Sequence, residues 1–170
     1  MPVMFRPMES DDKELFANFL RSLPRKDNYY LLVDVNNDQT IQRWMDKVKS
    51  GKIVGVVALE GGHMVGYCNL RINDLPWIRH VGEIRLSVSA DNRGEGIGRI
   101  LAGKIFAIAR TRGLRKLWVR MAISQGAAQV VFQNLGFRTE ALLTDFVQNE
   151  NGLAESLVIM THDCRELWSF

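Results

Sequence analysis

A glycine-rich segment, Arg93-Gly94-Glu95-Gly96-Ile97-Gly98, follows a strand-like run and precedes a helix-like stripe of apolar residues. Free backbone N–H groups and the helix dipole make the start of a helix a favourable place for an anion. The glycines allow close approach of a ligand to the backbone, and Arg93 and Arg99 add positive charge. The segment therefore predicts a loop that binds a pyrophosphate.

Two familiar phosphate-binding loops do not fit this segment. A Walker A loop requires Gly-Lys-Ser/Thr, and the dinucleotide fingerprint requires a third small residue where Arg99 stands. Neither ATP nor NAD is indicated. Taken alone, the spaced glycines are also compatible with a plain turn between a strand and a helix.

Glu83 is the candidate acid or base. Alternation along the strand places Glu83, Arg85 and Ser87 on the face opposite Ile84, Leu86 and Val88. A carboxylate beside an attacking amine can orient it and accept its proton. An ion pair with Arg85 or Arg71 on a sheet face explains the same residue, so both interpretations stand at this point.

Hydrophobic spacing predicts two helices near the start of the chain. The first carries Leu15, Phe16, Phe19, Leu20 and Leu23, is preceded by a capping-box spacing at Asp11 and Glu14, and ends at Pro24. The second carries Ile41, Trp44, Met45 and Val48, with Asp38 or Thr40 as its cap and Gly51 at its end.

The rest of the chain alternates between strand and helix patterns. We predict strands at 53–59, 64–72, 82–89 and 117–123, a helix from Ile97 that ends at Gly113, a helix capped by Ser124 that ends at Gly136, and a closing hairpin of 137–147 and 153–160. This order predicts an α/β fold in a single domain over residues 1–170, with a mixed antiparallel and parallel sheet of about six or seven strands flanked by about four helices.

Composition restricts the remaining functional classes. The net charge of +3 gives little reason to expect a nucleic-acid partner, despite the basic cluster at 110–116. Cys68 and Cys164 lie far apart, without metal-ligand spacing, which favours free thiols in a reducing compartment and no metal. The N-terminus lacks a signal pattern, and the longest apolar run, 53–59, is too short to cross a bilayer. We expect a cytoplasmic protein without a membrane partner.

The pattern Arg-x-x-Gly-x-Gly, at Arg93, Gly96 and Gly98, resembles the acyl-CoA loop that N-acyltransferases of the GNAT superfamily place after their fourth strand. The predicted order of elements also resembles the GNAT fold, over roughly 150 residues. The segment Asn134-Leu135-Gly136-Phe137 is similar to the end of the family's fourth helix. Two motifs at the expected separation indicate this family far more strongly than one.

The resemblance implies that the chain binds acetyl-CoA as a cosubstrate and moves its acyl group to a primary amine, of a small molecule or a peptide, by direct attack in a ternary complex. It implies Glu83 as the base, and as CoA-binding residues Leu86, Ser87, Val88, Arg93, Gly94, Glu95, Gly96, Ile97, Gly98, Arg99, Gln125 and Phe132. Tyr29, Tyr30 and Trp44 lie in the region that forms part of the family's acceptor site.

The chain departs from the family pattern at two positions. Phe132 stands where many members have the tyrosine that protonates the departing thiolate, and its ring has no proton to give. Gln125 stands where an asparagine is frequent. Ser124 or a water is a possible substitute donor, and a thiolate with a pKa near 8.5 leaves readily unaided. An acyl-CoA-binding regulatory domain remains the alternative, and the apolar tail Leu167-Trp168-Ser169-Phe170 suggests a homodimer.

Overall fold

The computed structural model describes residues 1–165, which contain one seven-stranded sheet in the order β1-β2-β3-β4-β5-β7-β6. The strands are β1 (Met4–Pro7), β2 (Ile53–Glu60), β3 (His63–Ile72), β4 (Val81–Val88), β5 (Lys116–Ala122), β6 (Arg138–Gln148) and β7 (Ala154–Asp163). Only β4 and β5 pair in parallel; the other five neighbouring pairs in this part of the chain are antiparallel. The predicted mixed sheet is confirmed.

Five α-helices flank the sheet within residues 1–165: α1 (Lys13–Ser22), α2 (Arg25–Asn28), α3 (Asp38–Lys49), α4 (Ile97–Thr111) and α5 (Gly126–Asn134). Four of them were predicted. The additional one, α2, is a single turn that starts directly after Pro24. A helix of one turn is too short to show a hydrophobic period, so spacing along the sequence does not reveal it.

The N-terminal caps predicted for α1 and α3 are wrong in detail. Asp12, not Asp11, organises the turn before α1, since its Oδ2 accepts the Glu9 N–H at 2.8 Å and its carboxylate pairs with Arg6 on β1 at 2.6 Å. Asn37 caps α3 by accepting the N–H groups of the second and third helical residues. Before α1, Arg6 on β1 pairs with Asp12, so a contact with another element decides which aspartate holds the turn.

The two faces of the sheet carry separate hydrophobic cores. One contains Ile84, Leu101, Ile105 and Leu117 and lies under α4 and α5, so we call it the α4 face. The other contains Phe16, Leu20, Trp44 and Tyr67 and lies under α1 and α3, so we call it the α1/α3 face. Because side chains alternate along a strand, Glu83, Arg85 and Ser87 of β4 project to the α1/α3 face.

The ladder between β4 and β5 is short. It joins Val81–Glu83 to Lys116–Trp118, while β4 continues to Val88 and β5 to Ala122. Beyond Glu83 the two strands therefore diverge, and the backbone of β4 on that side has no strand partner among the described residues. This opening is where a ligand backbone can take the place of a strand.

Within residues 1–165 we find no helix that combines the length and the apolar character needed to cross a bilayer. The tail Leu167–Phe170, predicted to form a subunit contact, lies outside the described residues.

Candidate active site

A cavity of about 670 Å³ begins at the N-terminus of α4 and extends along β4 to Glu83. Its walls come from α1, α3 and the segment between them, from β3 and β4, from the loop before α4, and from both halves of α5. The volume lies within the range of pockets that bury a whole small ligand. A long ligand held at the α4 end would thus have continuous space as far as Glu83.

The glycine loop has the backbone geometry that its sequence predicts. Gly94 and Gly96 have φ angles of 82° and 79°, which disfavour any residue with a side chain. A Cβ atom built at either position meets no atom within 4 Å, so the protein itself leaves this space open. Gly98 lies in the first turn of α4, where a Cβ would make only ordinary contact with the Leu86 and Val88 side chains. These residues fit a pyrophosphate close to the backbone.

Arg93 joins the glycine loop to α2. Its Nη2 donates to Asp27 Oδ2 at 2.6 Å, and its Nε donates to the Val88 carbonyl oxygen at 3.2 Å. Both Arg93 and Asp27 line the cavity. The cation predicted to bind phosphate is therefore already paired with a carboxylate from the short helix that the sequence did not reveal.

Glu83 lies in a cluster of arginines on the floor of the cavity. Its side chain is 9% exposed, and one oxygen, Oε1, contacts Arg85 Nη2 at 2.9 Å and Arg120 Nε at 3.3 Å. Within residues 1–165, no hydrogen bond reaches the other oxygen, Oε2. The predicted ion pair with Arg85 is present, and Arg71 faces Glu83 across the β3–β4 ladder.

Arg85 is the most constrained member of this cluster. Besides Glu83, it contacts the Arg120 carbonyl oxygen, to which Nη1 donates at 3.0 Å across the opening between β4 and β5. Burial lowers the pKa of the Arg85 guanidinium from its usual range, although the charge of Glu83 opposes this change. Three arginines beside one carboxylate give the floor a net positive charge.

The start of α5 differs from its prediction. Ser124 does not cap the helix; Gln125 occupies the cap position, and its Oε1 accepts the Ala122 N–H at 2.9 Å. The Ser124 hydroxyl instead donates to Glu155 Oε2 at 3.0 Å and lies 3.1 Å from the Tyr30 hydroxyl. The Ser124 hydroxyl therefore makes hydrogen bonds with residues of distant elements in place of the predicted helix-capping bond.

Most predicted site residues meet at this one cavity. Glu83, Leu86, Ser87, Val88, Arg93, Gly94, Gly96, Ile97, Gly98, Gln125 and Phe132 line it. Glu95 and Arg99 do not, and both are exposed. Phe132 is 4% exposed and packs edge-on against Phe137, so its ring forms an apolar wall.

Several lining residues were not predicted from the sequence. Tyr67 and Asn69 join Arg71 at every second position of β3, on the face shared with Glu83. These polar residues alternate strictly with apolar ones along β3, and this pattern could have predicted that they share one face of the sheet. Burial raises the pKa of Tyr67 to about 12, so its hydroxyl keeps its proton at neutral pH.

The cysteines and histidines form no competing site among the described residues. Cys68 is fully buried in the core under α4, and burial raises the pKa of its thiol, which disfavours the reactive thiolate. No group of three or more potential metal ligands occurs within residues 1–165.

The chain is similar in sequence to known acetyltransferases. A model of the family described as "Acetyltransferase (GNAT) family" matches residues 13–137. A mouse protein described as probable N-acetyltransferase family 8 member 5 is 32% identical over 84 residues. This match covers 48% of the chain and 37% of the mouse protein, so the chain spans well under half of that relative.

Solved structures share the fold at low sequence identity. An N-acetyltransferase from Staphylococcus aureus Mu50 has a TM-score of 0.82 at 18% identity, over 97% of this chain and 100% of that one. A putative acetyltransferase from Salmonella typhimurium, solved with its cofactor acetyl-CoA, has a TM-score of 0.76 at 18% identity, over 99% and 98% of the two chains. At such identities the likeness concerns the fold alone.

Proposed function

Because the chain belongs to the acetyltransferase (GNAT) family, we propose that it transfers an acyl group, acetyl, from coenzyme A to a primary amine by direct attack in a ternary complex. One observation carries this proposal: a single cavity joins the open glycine loop to Glu83. A donor held at the loop and an acceptor held at Glu83 would then meet within one cavity, where orientation alone contributes much of the rate.

The loop and β4 hold the donor in this proposal. Backbone N–H groups around Gly94, Gly96 and Gly98 bind the pyrophosphate, with Arg93 beside it. The backbone of Leu86, Ser87 and Val88, beyond the end of the β4–β5 ladder, pairs with the pantetheine amides. When bound, acetyl-CoA supplies an activated thioester carbonyl.

Glu83 accepts the proton of the attacking amine in this proposal. Its Oε1 is held by Arg85 and Arg120, which leaves Oε2 to face the nitrogen. Positive charge from these two guanidinium groups disfavours the ammonium form of the acceptor, so the cluster raises the fraction of neutral, reactive amine.

Departure of the thiolate needs no phenol at the position of Phe132. A thiol with a pKa near 8.5 is a fair leaving group, and solvent at the mouth of the cavity can protonate it. Tyr67 is a poor donor, since its pKa of about 12 makes proton transfer to a thiolate unfavourable.

Two measurements on the whole chain test the proposal: thermal unfolding with millimolar acetyl-CoA, and release of free thiol with a panel of amines. A ligand at about 100 times its Kd stabilises the native state by about 2.7 kcal/mol, which raises the Tm of a chain of this size by about 5–10 °C. Stabilisation without thiol release for any amine would indicate a binding domain instead.

A pair of glycine variants supplies the control. Gly96→Ala places a methyl group at a residue with a positive φ, in the open space where the ligand is proposed to bind. We therefore expect CoA affinity to fall at least tenfold, which corresponds to about 1.4 kcal/mol of binding free energy. Gly113, just after α4, also has a positive φ and no atom within 4 Å of a built Cβ, but it does not line the cavity. Gly113→Ala should cost similar stability and leave CoA affinity unchanged; equal losses in both variants would refute the assigned loop.

A further inference from the structure

A second cavity, of about 430 Å³, opens on the α1/α3 face of the sheet. Arg71 and Glu83 line both this cavity and the larger one, so the two spaces meet at these residues. The larger cavity approaches the junction from the glycine loop. The second approaches it from the opposite direction, between the end of α3 and the start of β4.

The two residues at this junction belong to a row of four across the sheet. Ile53, Arg71, Glu83 and Trp118 are lateral neighbours on β2, β3, β4 and β5. Adjacent strands lie about 4.8 Å apart, so Arg71 is one strand from Glu83 and Lys52, beside Ile53, is about two strands away. The backbone positions of Arg71 and Lys52 therefore lie roughly 5 to 10 Å from that of Glu83.

The second cavity is positively charged. Lys47, Lys52 and Arg71 line it, and none of the three forms an ion pair with another residue within 1–165. Glu83 is the acidic residue among its lining residues, and Arg85 and Arg120 already offset that charge. Three cations therefore face the cavity without a protein counterion in the described part of the chain.

The remaining walls are largely apolar. Ile53, Ile72, Ile78 and Val81 line the cavity, and the Trp118 ring closes one side with the Arg120 guanidinium 5.5 Å from its centre. Such walls suit a hydrocarbon linker between two polar ends of a ligand. They offer no acidic cluster for a polycation.

We propose that the second cavity is the acceptor subsite and that it selects amines carrying a carboxylate or phosphate, with this anion bound by Lys47, Lys52 and Arg71 while the amine lies at Glu83. This inference rests on the proposed acyl transfer. The anion lies one to two strand spacings, roughly 5 to 10 Å, from the nitrogen, with the apolar part of the acceptor along Ile78 and Trp118. Polyamines and other cationic acceptors are excluded by the same charges.

The test compares matched acceptors that differ only in the anion: 6-aminohexanoate, its neutral amide 6-aminohexanamide, and an aminoalkyl phosphate of similar length. We expect kcat/KM for the carboxylate to exceed that for the amide at least tenfold, with the difference in KM. The better of the carboxylate and the phosphate identifies the preferred anion. Equal kcat/KM for the acid and the amide would overturn the inference while leaving acyl transfer intact.

A double variant, Lys47→Gln with Lys52→Gln, should remove most of the preference for the acid by lowering kcat/KM for the acid far more than for the amide. Lys104→Gln, at an exposed position of α4 outside both cavities, should retain the preference. Calorimetry of 6-aminohexanoate and 6-aminohexanamide binding provides a readout that does not require turnover. Tighter binding of the acid to the native protein, lost in the double variant, supports the inference; equal binding of the two compounds to the native protein overturns it even if no amine is acetylated.

Discussion

The Arg93–Asp27 pair offers a sharp test of how the glycine loop is prepared for its ligand. Asp27 on α2 holds the Arg93 guanidinium at 2.6 Å, at the edge of the cavity where a pyrophosphate is proposed to bind. Their side chains are 30% and 47% exposed, so the pair is of the weak, solvent-screened kind. A phosphate that recruits Arg93 has to compete with Asp27. We therefore predict that Asp27→Asn strengthens CoA binding.

The size of the effect follows from the exposure of the pair. Exposed pairs contribute about 0.2–1 kcal/mol, and release of that competition corresponds to a gain in CoA affinity of about 1.4- to fivefold. Calorimetric titration with CoA at low and high salt measures it. Because salt screens exposed charges, the gain should shrink as ionic strength rises.

Glu150→Gln is the matched control for Asp27→Asn. Glu150 pairs with Arg25 on the same short helix, at 3.4 Å, and does not line the cavity. Its removal should leave CoA affinity unchanged. An unchanged or weaker affinity in Asp27→Asn would refute the competition and indicate that the pair helps to hold the loop in its binding conformation.

Three further predictions concern single side chains. Glu83→Gln should lower the rate of acyl transfer roughly ten- to a thousandfold at near-constant CoA affinity, as steady-state kinetics would reveal; an unaltered pH–rate profile would reduce Glu83 to an ion-pair partner. Phe132→Leu should keep most of the maximal rate and cost about 1 kcal/mol of stability, and a hundredfold loss of rate in a folded variant would contradict an apolar role for the ring. Arg6 holds the pKa of Asp12 below its usual range, so this carboxylate stabilises the fold above about pH 4 and the contribution disappears as pH falls through the lowered pKa. Urea unfolding across that range should show Asp12→Asn less stable than the native protein at neutral pH, with the gap closing in acid; a constant gap would exclude the linkage.

The sequence predicts those parts of the fold that depend on local periodicity. Two apolar or alternating segments, 53–59 and 64–72, flank a pair of glycines in the sequence. In the structure they form an antiparallel hairpin whose turn is Gly61–Gly62. The 3-4 spacing of Ile41, Trp44, Met45 and Val48 likewise specifies α3. In both cases the spacing of apolar residues within one short segment specifies which face of the element is buried.

The missed features depend on residues that are distant in the sequence. Ser124 is a good helix cap by type, but its hydroxyl bonds Glu155, 31 residues away. Asp27 and Arg93 are 66 residues apart, and Arg120 reaches Glu83 only because β5 lies beside β4. The order of strands in a sheet, which decides such contacts, is not contained in the periodicity of any one strand. The sequence could therefore nominate Glu83 and its neighbour Arg85, but not the contact with Arg120 on another strand.

The short β4–β5 ladder has a consequence for the cooperativity of folding. Three residue pairs join the half of the sheet made of β1 to β4 to the half made of β5, β7 and β6, whereas β2 and β3 share eight. The core under α4 spans this joint, since it contains Ile84 and Leu70 from one half and Leu117 and Met160 from the other. A ligand paired along β4 would act as an eighth strand at the weakest joint. Amide hydrogen exchange on the β5-facing edge of β4 should then slow on binding by more than the global change in stability requires.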